Sequence, residues 1–169
     1  MPEEEVVERA KKDEEEGKSA STQAGEFVRE EIHHVREGKH GAQSTKQAIA
    51  IGLSKARRAG VKLGAPKLGK TTAATRRKAQ LDLRKARTSR RRKPSAKRSR
   101  AVSRALKREG RTAASRQSLA RQARSAARKR GATARRKAAS QAVRTKGKTV
   151  LKRAARKAAQ TRASHRRAA

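Results

Sequence analysis

The sequence predicts an all-α protein with a small helical head and a long basic tail, and three observations predict it. Apolar residues recur at helical spacing within residues 19–63. Ser, Thr and Gly stand where helices would start and stop in that same stretch. Residues 66–169 carry 38 Lys and Arg against only Asp82 and Glu109, while the first 65 residues balance 12 basic against 12 acidic side chains. The net charge of +36 therefore resides in the tail.

Residues 1–18 form an acidic helical segment. Pro2 suits a first helical turn, Glu3, Glu4 and Glu5 suit the positive end of a helix dipole, and Gly17 terminates it. Glu5–Arg9 and Glu8–Lys12 have the favourable i,i+4 order. Only Val6, Val7 and Ala10 are apolar, so this helix is expected to bury little.

Residues 19–63 read as an αα-hairpin. Ser19, Ser21 and Thr22 offer caps for a helix with Ala24, Phe27, Val28, Ile32 and Val35 on its apolar positions, and Gly38 is a left-handed terminator. Ser44 and Gln47 make a capping box for a second helix carrying Ala48, Ile49, Gly52, Leu53 and Ala56, which ends at Ala59-Gly60-Val61. A core this small is marginal, so self-association of the head would bury its stripes better.

Residues 64–75 read as a hinge and 76–169 as the basic tail, disordered or nascent-helical when free. Its larger aliphatic residues are few, and burying them would not offset about 1–2 kcal/mol of backbone entropy per ordered residue, so no packed core is expected beyond residue 66. Residues 97–108, 113–130 and 149–167 are rich in helix formers but crowded with like charges.

Composition excludes several chemistries. Without cysteine there is no disulfide or thiolate metal site, and no apolar run is long enough to span a bilayer. A cytoplasmic protein is expected. Gly64-Ala65-Pro66-Lys67-Leu68-Gly69-Lys70-Thr71 satisfies the P-loop formula, yet no hydrophobic strand precedes it and no second strand supplies an Asp for Mg²⁺. The expectation there is a flexible hinge and no nucleotide cofactor. His33, His34 and His40 read as solvated side chains near a helix end, with no metal. Glu30, Glu31 and Glu37 read as solubilising helix charges, since a two-helix head offers no cleft for catalysis.

The tail is the chemistry-bearing segment. Of its 38 cations 25 are Arg, which bonds phosphate oxygens in pairs. The expected phosphate contacts are its dense clusters: Arg76, Arg77 and Lys78; Arg90, Arg91, Arg92 and Lys93; Arg128, Lys129 and Arg130; Arg135, Arg136 and Lys137. Base reading needs a rigid scaffold and single-strand binding uses stacked aromatics, and the tail offers neither. Phosphate contact without sequence preference follows, with duplex DNA the expected partner. An RNA-binding or ribosome-associated protein, or an interaction head with a nucleic-acid tether, are the rival readings. The acidic Glu3–Glu16 stretch could also compete for the tail as a polyanion mimic.

Two resemblances bear on this. The segments Gln23-Ala24-Gly25-Glu26-Phe27-Val28-Arg29-Glu30-Glu31-Ile32, Gly38-Lys39-His40-Gly41 and Ser44-Thr45-Lys46-Gln47-Ala48-Ile49-Ala50-Ile51-Gly52-Leu53-Ser54 resemble a family of small basic bacterial proteins of unassigned function. The tail resembles the Lys/Arg/Ala-rich tails of histone H1-like bacterial proteins. That likeness implies a DNA-compacting role in the bacterial nucleoid, without the winged-helix domain of linker histones.

Overall fold

The computed structural model describes residues 3–87 and 95–167, and these form seven α-helices and no strand. The helices are α1 (Glu4–Glu15), α2 (Ala20–Glu37), α3 (Thr45–Arg58), α4 (Ala73–Arg87), α5 (Ala96–Arg108), α6 (Arg116–Lys129) and α7 (Gly131–Arg167). A single 3₁₀ turn, Thr112–Ala114, precedes α6. The chain divides into two units, Met1–Gln122 and Ala123–Ala169, with the division inside α6.

The expected hairpin is α2 and α3, and its signals operate as read. Ser19 caps α2 by accepting the Thr22 N–H at 3.4 Å. Gly38 ends it at φ 79°, a left-handed conformation that a side chain would strain. Ser44 Oγ accepts the Gln47 N–H at 3.2 Å, and the Gln47 side-chain oxygen accepts the Gln43 N–H at 2.8 Å. The reciprocal bond of the capping box thus lands one residue upstream of the N-cap. The two helices meet closely because α3 presents Gly52 to α2: a Cβ there would stand 2.7 Å from Val28 Cα.

The expectation that the acidic helix buries little is overturned. Val6 and Ala10 of α1 are buried with Ala24, Phe27, Ala56 and Val61 in one cluster, which Val7, Leu53 and Leu63 flank. Two apolar residues at i and i+4 suffice because polar neighbours tie down the rest of the helix. Arg9 bonds Glu26 at 3.0 Å, Lys62 bonds Glu14 at 3.0 Å, and the Glu3 N–H donates to Glu30 at 2.7 Å. The acids of α1 that pair in this way do so within the head.

The expectation of no packing beyond residue 66 is also corrected. Ala113 and Ala114 are buried with Ile32, Val35, Ala42 and Ala48 in a second cluster that includes Val28 and Leu119 at its edge. Backbone bonds seat this segment: Gly41 N–H donates to Leu106 O at 2.8 Å and Ala42 N–H to Gly110 O at 3.1 Å. Thr45 Oγ1 donates to Ala113 O at 2.6 Å and Arg36 Nε to Ala114 O at 3.0 Å. Large aliphatics are few here, and small alanines and main-chain bonds dock this stretch instead. Ile32, Val35, Ala48 and Val28 of the hairpin's apolar stripes thus pack against residues of the same chain.

Helix α4, capped by Thr72 accepting from the Thr75 N–H at 3.2 Å, packs on α3 through a polar anchor. Asp82 is only 3 % exposed and accepts from Ser54 Oγ at 2.6 Å and Arg58 Nε at 2.8 Å, beside buried Ala79. Asp82→Ala removes both charge-assisted bonds and is expected to cost about 1.5–3 kcal/mol. Hydrogen exchange checks it: α4 amides should lose protection selectively, and unchanged protection would show that α4 does not depend on this carboxylate.

The second unit is organised differently. Among the described residues of 123–169 none is buried, and Val150 is 55 % exposed. Helix α7 is interrupted at Gly147, which takes φ 74° and ψ 154°. No described helix is long and apolar enough to cross a membrane.

Candidate nucleic-acid interface

The tail cations fall in three settings. Arg76, Arg77 and Lys78 occupy the start of α4, where Arg77 and Lys78 are exposed and Arg76 is half-buried, donating Nε–H to Pro66 O at 3.3 Å. Arg128 and Lys129 end α6, Arg130 follows it, and Arg135, Arg136 and Lys137 stand on α7, all exposed. Arg90, Arg91, Arg92 and Lys93 lie outside the described residues. Successive helical residues point about 100° apart, so Arg135, Arg136 and Lys137 spread around α7 and form no single stripe. Such a distribution suits a cation embedded among phosphates better than one face laid on a groove.

One fixed cationic group escaped the sequence reading. Arg36 of α2, Arg111 before the 3₁₀ turn and Arg116 of α6 line a shallow concavity with Ala114 and Ser115. Their separation in sequence hid them, since only the docking of residues 106–114 brings Arg111 to α2. The P-loop-like stretch does not form a phosphate cradle. Residues 64–72 run without regular structure from α3 toward α4, no strand precedes them among the described residues, and Lys70 N–H is spent on Lys67 O at 3.2 Å.

The head also holds a buried charge cluster, where the reading of solvated histidines holds for one residue and fails for two. His33 has a side chain 56 % exposed, but those of His34 and His40 are only 12 % and 18 % exposed. Glu30 and Glu31 are buried, against the reading of them as surface charges. Lys55 Nζ lies 3.1 Å from Glu30 Oε2 and 2.8 Å from Glu31 Oε2, and His40 Nε2 lies 3.1 Å from Glu31 Oε1. Glu31 is thus buried against the Lys55 ammonium and the His40 ring. Burial is the largest influence on the Lys55 ammonium and would lower its pKa. Glu31 and Glu30 together outweigh it and hold the pKa above the ordinary value. At the rim, His34 Nε2 is 2.9 Å and Lys39 Nζ 3.0 Å from Glu3 Oε1, and hydrogen bonding from these two draws the Glu3 pKa down to about 2. Spacing carried a signal for this cluster: Glu31 and His34 are three residues apart and share a helix face.

A search among curated proteins and solved structures finds no match to the chain. Residues 11–67, from the end of α1 through α2 and α3 and the chain just after it, match a family of unknown function, DUF6496.

Proposed function

We propose that this chain is a sequence-nonspecific DNA-binding protein, histone H1-like and nucleoid-associated, which neutralises and condenses duplex DNA through phosphate contacts. One observation carries the reading: 38 cations against two acids over residues 66–169, of which 25 are arginines. Counterions released from DNA as these groups replace them supply the affinity. The exposure of Arg77, Lys78, Arg128, Lys129, Arg130, Arg135, Arg136 and Lys137 leaves them accessible to phosphates. Free of DNA, the tail beyond residue 122 is expected to repel itself and fluctuate, with helix firming once phosphates screen its charge.

A salt titration of binding to a mixed-sequence duplex tests this. With about ten phosphates engaged, log K should fall against log salt with slope near −9, and binding should be weak above about 0.5 M salt. Scrambling the duplex should change nothing. Absence of binding to DNA and RNA in dilute buffer, or retention at high salt, would overturn the proposal. Preferential displacement by structured RNA at equal phosphate concentration would reassign the partner to RNA.

A further inference from the structure

We propose that Glu31, His34 and His40 form a binding site for a divalent transition-metal ion of the zinc class, independent of the nucleic-acid reading. One ligand atom from each residue lies within 4.8 Å of the other two. Glu31 is 1 % exposed and its Oε1 lacks a hydrogen bond, which leaves an acceptor aimed into the cluster.

The protons at His40 sharpen the point. Its Nδ1 lies 3.0 Å from Gly41 O, and a carbonyl can only accept, so Nδ1 carries the proton. In the neutral ring Nε2 is then a bare lone pair, and it faces Glu31 Oε1 at 3.1 Å. That approach needs a cation between the two atoms, which a proton on Nε2 or a metal ion would each supply. The same Nδ1–H bond to a backbone carbonyl is how metal-ligating histidines are commonly oriented.

Geometry and charge both suit a metal ion. Zinc bonds of about 2.0–2.2 Å place tetrahedral ligands about 3.3 Å apart, close to the observed His40–Glu31 edge, and His34 lies within 4.8 Å as the third ligand. Glu30 and Glu31 bring two negative charges into the interior, and Lys55 returns one. Lys55 occupies Glu31 Oε2 and leaves Oε1 to the ion. A metal here would tie α2 to the turn that follows it. Small domains with thin cores gain stability from such a staple.

The test uses full-length protein freed of nucleic acid, since phosphates chelate metal, in chelator-treated buffer. Calorimetric titration with Zn²⁺ should show one equivalent bound, and Zn²⁺ should raise the melting temperature. His40→Ala and Glu31→Gln should each weaken uptake by at least about 10-fold, while exposed His33→Ala should not. If either variant fails to fold, Co²⁺ added to the wild-type chain decides. Intense visible d–d absorption, displaced by one equivalent of Zn²⁺, supports a low-coordinate buried site. Weak absorption typical of a hydrated ion overturns it, as does a wild-type melting temperature indifferent to Zn²⁺ or equal loss in His33→Ala.

Discussion

Ending the chain at Gln122 is expected to reduce affinity for duplex DNA by about 10⁴-fold at 0.1 M salt and to flatten the salt slope from near −9 to about −5. The removed residues contain 17 Lys and Arg and no acid, nearly half of the net charge, and the remainder keeps +19. Phosphate contacts contribute through released counterions, so their loss is multiplicative in affinity and linear in slope. The melting temperature of the remaining unit should hardly change, because among the described residues of 123–169 none is buried. Electrophoretic mobility shift over a salt series reads both quantities. A truncated chain with an unchanged slope would move the contacts into residues 1–122, to Arg77, Lys78 or the fixed trio of Arg36, Arg111 and Arg116.

The hairpin was legible because its signals are local. Ser19, Gly38, Ser44 and Gln47 act on backbone atoms within a few residues, and spacing alone places them. The packing of the basic segment was not legible, because its docking groups are generic. Ala113 resembles every other tail alanine until Thr45 donates to its carbonyl, and Asp82 looks like an isolated acid until Ser54 and Arg58 reach it. The charge cluster failed for a related reason. A Glu-rich, His-rich helix normally faces solvent, and only α1, α3 and the turn after α2 together bury Glu30 and Glu31. Nothing local marks Gly41 as a contact residue, yet the Glu109 backbone occupies the place its Cβ would take. The basic clusters at 128–130 and 135–137 lie where no acid follows Glu109 in the sequence, and they are exposed.

Phe27→Ala is expected to remove about 3–5 kcal/mol, enough to unfold most of the head. Phe27 is the only aromatic residue, is fully buried, and joins α1, α2 and α3 by packing with Val6, Ala10, Ala24, Ala56 and Val61. The surrounding alanines have no longer rotamer with which to fill the void, so little relaxation offsets it. Gly52→Ala should destabilise for the opposite reason. In an open helix that change gains about 1 kcal/mol, but here the new Cβ meets Val28 Cα at 2.7 Å and Phe27 O at 2.9 Å, and backbone atoms cannot step aside. Thermal denaturation followed by circular dichroism should show both variants melting well below the parent. A Phe27→Ala chain with an unshifted midpoint would mean that the first cluster does not hold the head together. DNA affinity should separate fold from function: at low salt either variant should stay within a few-fold of the parent, because the cations of residues 123–169 need no packed head to meet phosphates.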